Sequence, residues 1–435
     1  MTLILDVTSL MLRRRQSVMT GIDRVEYALA SWLCSEGAQL YPDAVFLLNT
    51  RSASGIMTPD RMRHALAKME MQRGIAAGPG AIFRSLLEHL SSAPQPNGRV
   101  GAVRITDIAE GRWRWVDQIA VAWRAILGAH AFKKLLKLKG ASLRYVHASH
   151  YGLQWRERHD WILRYGVKAT FFVHDLIPID FPQYCSLGAH QSHRRKLQAI
   201  AGLADRIAVN SNYTADRLTA FLQAEGLSVP PIEVHRLGTG ALRLQSTFGA
   251  GSDRRSDVDA NLKGTHPFFL CAGTIEGRKN VAVLLEAWRL LAQKLPANEM
   301  PRLVLAGTRG WSNDALLKEL DEMTDIAPYV IEVNGLNDRE LMLVMEGAQA
   351  VLKPSLAEGY SLVPAEALAR GVPVIASNIP AHRELTERGR HLIDQSGAQA
   401  WADSIISKHA KLRALAGYSW GQFSASLLEI GSALD

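Results

Sequence analysis

From about residue 143 onward, short apolar runs alternate with longer amphipathic ones, and no other feature constrains the fold as tightly. LRYVHAS, KATFFVHD, DRIAVNS and PIEVHRLG read as strands, with HQSHRRKLQAIAGLA and NYTADRLTAFLQAEG as helices between them. HPFFLCAG, PRLVLAG, YVIEVNG, QAVLKPS, PVIAS and HLID continue the series, separated by NVAVLLEAWRLLAQKL, SNDALLKELDEM, NDRELMLVMEGA and PAHRELTERG. Strands alternating with helical periodicity predict an α/β chain of two doubly wound parallel sheets. The first sheet opens with TLILDVTSL, the helix in MTGIDRVEYALASWLCSEG, and AVFLLN. RMRHALAKMEMQRG and AIFRSLLEHL read as helices, and SSAPQPNGRVG as a surface loop. At 435 residues two domains are the natural division. The polar stretch RLQSTFGAGSDRRSDVDANLKGTH marks the linker, which sets domains over 1–245 and 246–415. YSWGQFSASLLEI makes 416–435 a separate amphipathic helix.

In open parallel sheets, ligands bind beyond the carboxyl ends of the strands, so the loops there are the candidate site. The stretch KPSLAEGYSLVPAEA, Lys353 to Ala367, reads as strand end, loop bearing Glu358, then helix bearing Glu366. Pro364 suits the first helical position and Gly371 the left-handed position that ends the helix. Backbone amides at that helix start form an anion site, and an acidic residue on either side points to a ligand with phosphates and hydroxyls. AGTIEGRKN places Gly273 and Thr274 on a tight turn, then Arg278 and Lys279 beside a helix that Asn280 would cap. A guanidinium and an ammonium there would clamp a diphosphate. VNGLND offers Asn334, Gly335 and Leu336 as a slot for a base. In the first half, His174 ends an apolar strand at the same edge, where it can donate to a sugar hydroxyl or to developing charge. The plainer readings are solvated charges on capped turns, and a histidine satisfied by local backbone. The one DxD-like triplet, Asp257-Val258-Asp259, falls in the linker and is assigned no metal.

A net charge of +8 favours anionic partners. The basic residues gather over 112–139, where Trp113, Trp115 and Trp123 sit among arginines and Lys133, Lys134 and Lys137 recur at helical spacing. That composition suits an interfacial helix and makes 112–139 a candidate peripheral membrane contact; the plainer reading is a solvated helix over its own core. No nucleic-acid signature accompanies the charge. No apolar run is long enough to span a bilayer, and the N-terminal apolar run precedes its arginines, the reverse of a secretory signal. Cys34, Cys185 and Cys271 are scattered without metal-like spacing, which fits a reducing cytoplasm.

Taken together, these motifs resemble the retaining, GT-B-fold glycosyltransferases of family 4 over most of the chain. The resemblance rests on EGYSLVPAEA with its two spaced glutamates, Gly273 to Asn280, the His174-Asp175 pair, Val209 to Ser211, the early TGIDRVE turn and the terminal helix. Ser361 stands where many members have glycine. The opening LILDVTSL…TGIDRV looks most like bacterial mannosyl- or rhamnosyl-type enzymes of surface-polysaccharide assembly. The resemblance implies two Rossmann-like domains facing a cleft, with the last helix crossing back to the first. It also implies a nucleotide diphosphate-sugar co-substrate, no metal cofactor, and a glycan or lipid-linked glycan acceptor. Arg278 and Lys279 would hold the diphosphate, Glu366 the ribose, and Glu358 the transferred sugar. Amides of Gly359, Tyr360, Ser361 and Leu362 would support sugar and phosphate. His174 would lie near the anomeric centre, and Gly21 would let the first loop approach the phosphates. An epimerase on the same fold, or a degenerate transferase acting as a scaffold, are the rival expectations.

Overall fold

The computed structural model describes residues 2–15, 19–72, 80–94, 100–106, 114–239, 266–311, 313–385, 392–394 and 397–407. The expected linker, the Asp257-Val258-Asp259 triplet, Trp113 and the expected 416–435 helix lie outside them. The first-half strands are β1 (Thr2–Asp6), β2 (Val45–Asn49), β3 (Ser54–Met57), β4 (Val103–Ile105), β5 (Leu143–His147), β6 (Lys168–Val173), β7 (Arg206–Val209) and β8 (Ile232–Val234). The second half adds β9 (Phe268–Ala272), β10 (Arg302–Ala306), β11 (Val330–Val333), β12 (Val351–Lys353), β13 (Val374–Ser377) and β14 (Leu392–Ile393). One sheet runs β3-β2-β1-β5-β6-β7-β8 and is parallel except for the β2–β3 pair. The other runs β14-β13-β12-β9-β10-β11-β4 and is parallel throughout.

Period-two alternation splits each strand between two apolar layers. Leu3 and Leu5 pack on one face of the first sheet and Ile4 on the other. In the second sheet Phe269 and Cys271 join one layer, while Phe268 and Leu270 join the opposite one. Helices cover both faces, as strands this uniformly apolar require.

Strand β4 corrects the expected 1–245 domain. It pairs in parallel with β11, so Val103–Ile105 is an edge strand of the second sheet. The helix Ala81–Ser91 buries Phe83, Leu86 and Leu90 against second-domain residues such as Val344 and Val372. Gly80 N donates to Glu340 Oε1 at 2.7 Å, and the Arg302 guanidinium donates to the carbonyls of His89 and Ser92. A three-residue strand is too short to show a period, and β3 escapes a sequence reading for the same reason.

Helix Arg114–Lys139 lies against β3 almost backbone to backbone. A Cβ at Gly55 would stand 2.0 Å from Ala125 O, and one at Gly128 2.5 Å from Ile56 O. Asp117 near its start pairs with Arg14 (2.7 Å), and Lys139 at its end donates to Thr2 Oγ1 (2.7 Å). No helix among the described residues is long and apolar enough to cross a membrane.

Candidate active site

In the second sheet, β9 has β12 on one side and β10 on the other, so chain order reverses between β9 and β12. The crevice beyond such a switch point is where ligands enter doubly wound sheets. The loops leaving these two strands carry Gly273–Lys279 and Glu358.

After β9 the chain turns at Gly273, whose φ of +129° only glycine adopts readily. Arg278 and Lys279 then occupy a short 3₁₀ turn, Gly277–Lys279. Contrary to the expectation from sequence, Asn280 does not cap the next helix. Its own backbone is left-handed (φ +52°), and the helix starts at Ala282 behind Val281. The Leu356 amide donates to Arg278 O (2.9 Å), which ties this loop to the one after β12.

The two loops converge on Glu358. Arg278 Nη1 donates to Glu358 Oε2 at 2.8 Å and to Ala357 O at 2.8 Å, while its Nη2 reaches Glu276. Lys279 Nζ and Ser355 Oγ (2.8 Å) both donate to Glu358 Oε1, and Lys353 Nζ stands 3.5 Å from it. Burial alone would raise the Glu358 carboxyl, but Lys279, Arg278 and Lys353 outweigh it and hold it well below the usual carboxylate range. Against burial, Glu358 and Glu276 raise Arg278, which stays charged. Burial, with Lys353 and Arg278 close by, brings Lys279 down to about 7 despite its carboxylate partner.

Glu366 lies on the helix Leu362–Ala369, which starts before Pro364 rather than at it. Gly371 ends it at φ +74° as read from sequence, and Val372 N donates back to Ala367 O (3.0 Å). Glu366 meets a partner that sequence reading missed. Arg24, from the helix Gly21–Cys34 of the first domain, donates Nη1 to Glu366 and Nη2 to Asp338 (2.6 Å). Burial raises the Glu366 carboxyl even with Arg24 beside it. Gly21 opens the Arg24 helix behind the Thr20 cap, and open space surrounds the place of its missing Cβ.

His174 follows β6, and its Nε2 donates to the backbone of the neighbouring strand's loop, at Ala148 O, 2.6 Å away. Its carbonyl accepts from Asn210 Nδ2 (2.8 Å), and Ser211 Oγ donates to Gly359 O (2.8 Å). A Cβ at Gly359 would lie 2.2 Å from His174 O, so only glycine lets these two loops touch. Tyr360 packs with the first-domain core, and its hydroxyl donates to Leu237 O (3.1 Å). Ser361 is left-handed (φ +72°), and its hydroxyl bonds His382 Nε2 (2.9 Å).

The third loop, Asn334–Leu336, is held by contacts of its own. Gly335 turns at φ +99°, Asn334 N donates to Ile105 O (2.9 Å), and the Leu336 side chain is buried in the core. Thr274 lines a narrow cavity with Gly273, Lys279, Lys353 and Ser355. Lys353, Ser355 and Glu276 sit inside the very segments singled out from sequence. Nothing in the sequence links Arg24 to Glu366, 342 positions away.

Residues 253–409 match the family model described as Glycosyl transferases group 1. The chain is 25% identical over 225 residues to serotype-specific mannosyltransferase WbdA of Escherichia coli, covering 51% of this chain and 27% of that protein. It is 30% identical over 159 residues to O-antigen chain mannosyltransferase B of Escherichia coli, covering 37% of this chain and 39% of the relative. The chain thus spans well under two thirds of these relatives. Among solved structures, Anabaena HepE in complex with UDP and glucose superposes over 100% of both chains, at 16% identity and a TM-score of 0.60. Residues 253–409 are thus similar to the glycosyl transferases group 1 family, and the chain as a whole has the two-sheet GT-B fold.

Proposed function

We propose that this protein is a retaining, metal-independent glycosyltransferase. It moves a mannose- or rhamnose-type sugar from a nucleotide diphosphate-sugar to a growing surface glycan. One observation carries the reading: Arg278 and Lys279 converge, at the switch point between β9 and β12, on Glu358, which lines a pocket with Asp175 and Tyr213 of the first domain. The names of the mannosyltransferase relatives support the sugar class and the polysaccharide setting.

On this reading the donor diphosphate draws Arg278 and Lys279 away from Glu358 and spreads its negative charge over them. Two cationic side chains then stabilise the leaving group in the way a metal ion would. Glu358, freed of these donors, accepts hydroxyls of the transferred sugar. Glu366 accepts the ribose hydroxyls in place of Arg24. His174 stands beside Gly359 at the first-domain wall, and burial lowers its pKa so the ring is neutral. The leaving diphosphate departs on the face from which the acceptor hydroxyl attacks, which retains configuration. The acceptor is a glycan or lipid-linked glycan met at the first domain. The helix Arg114–Lys139 holds the enzyme at the cytoplasmic face of the membrane.

A thermal-shift screen of UDP, GDP, ADP and dTDP and their common sugars, with and without EDTA, tests the donor site. One nucleotide is expected to raise the melting temperature equally in both conditions. Arg278→Ala and Glu366→Ala should abolish the shift. Absence of any shift with the wild type, together with no transfer from any donor, sinks the reading.

A further inference from the structure

Lys353 is the last residue of β12, and it takes no part in holding the proposed donor. Three cations face two carboxylates in this cluster: Arg278, Lys279 and Lys353 against Glu276 and Glu358. They differ in depth. The Lys353 side chain is 5% exposed, against 16% for Arg278 and 13% for Lys279. Lys353 Nζ is also tethered from below, donating to Ala272 O at 3.3 Å. A Cβ at Gly273 would stand 3.4 Å from that nitrogen, so the turn covers the ammonium closely.

Depth decides which cation answers an incoming anion. A diphosphate arriving from the cleft meets the shallower Arg278 and Lys279 first, and both leave Glu358 to do so. The side chain they leave is 8% exposed. An ionised carboxylate that buried, without a counterion, is strongly disfavoured and would take up a proton. One cation is held in place by a bond that the diphosphate does not compete for. We infer that Lys353 is a positioning residue that keeps Glu358 ionised and oriented while Arg278 and Lys279 hold the diphosphate. This inference rests on the donor site proposed above and adds to it the charge exchange that donor binding requires.

The test pairs steady-state transfer, using whichever of GDP-mannose, dTDP-rhamnose or UDP-glucose the wild type turns over, with calorimetric binding of the matching nucleoside diphosphate. In Lys353→Met, nucleotide affinity stays within about threefold while kcat falls by about 10- to 100-fold. The acid limb of its kcat–pH profile moves to higher pH, because Glu358 has lost its remaining counterion. Lys353→Arg recovers most of kcat with the acid limb back in place. In a Glu358→Gln background Lys353→Met has no further effect, as a shared path predicts. If the methionine variant does not fold, Lys353→Gln repeats the test with a neutral donor kept toward Ala272 O.

An unchanged kcat and acid limb in Lys353→Met overturn the inference and leave the glycosyltransferase reading standing. Loss of nucleotide affinity in step with kcat/KM also overturns it, since Lys353 would then touch the diphosphate itself. A wild type that neither binds a nucleoside diphosphate nor turns over any donor removes both.

Discussion

Lys279 shows how a single side chain can be tuned by its surroundings. Burial next to Lys353 and Arg278 brings it down to about 7, so near neutral pH it is divided between charged and neutral forms. At the proposed donor site a diphosphate would bind the charged form. Below about 7 the proton is already present; above it, binding must take one up, until the ordinary lysine value of 10.5 is approached. Affinity for UDP or GDP should therefore weaken with rising pH, by up to about tenfold per unit. Calorimetry across the neutral range checks this, and a flat profile would contradict it. Lys279→Arg should bind without that slope, because a guanidinium does not deprotonate. The sequence places Lys279 beside the proposed anion site, but its ionisation depends on Lys353 and Glu358, which arrive from another strand and the loop after it.

At the scale of elements, the helix Arg114–Lys139 divides its surface cleanly. Val121, Ala125, Phe132 and Leu136 are buried at helical spacing. On the outer side Trp123 is 61% and Leu127 73% exposed, with Ile119 and Ile126 beside them. Farther along, Lys133, Lys134 and Lys137 are exposed on the same side. An apolar patch followed by a basic one is what a lipid surface of negative charge would recognise. Replacing those three lysines by glutamate should reduce binding to phosphatidylglycerol vesicles by about 3 kcal/mol or more. Cosedimentation of wild type and variant reads this directly. Equal recovery of both would mean that the helix is simply a solvated cover on β3. The sequence reveals the basic and aromatic composition; which apolar residues lie outside depends on the Gly55 and Gly128 contact that sets the helix's rotation.

At the scale of the whole molecule, the segment from Gly80 to Ile105 makes the two domains interdependent. It supplies the edge strand β4 and a helix whose Phe83, Leu86 and Leu90 are fully buried in the second domain. Burial of three such side chains is worth about 5–9 kcal/mol gross, comparable to the net stability of a domain. A fragment beginning at residue 246 should accordingly be unstable, and fusing residues 80–105 to it should restore a cooperative transition. Circular dichroism melts of the two fragments decide the matter; a stable fragment without 80–105 would refute it. Arg24, bonded to Glu366 and Asp338, and Glu384, accepting from the amides of Asn212 and Tyr213, further join the two halves.

Periodicity and turn chemistry act over a few residues, so they are legible in the chain itself. They determine two parallel sheets, the loops at strand ends, the left-handed glycine at Gly371 and the charges those loops carry. Strand order, by contrast, is settled by packing between distant segments. Only the tertiary structure assigns β4 to the second sheet, opposes Arg24 to Glu366, and surrounds Glu358 with three cations. Those contacts depend on which surfaces are buried together and how far water is excluded, and no window of sequence contains that information.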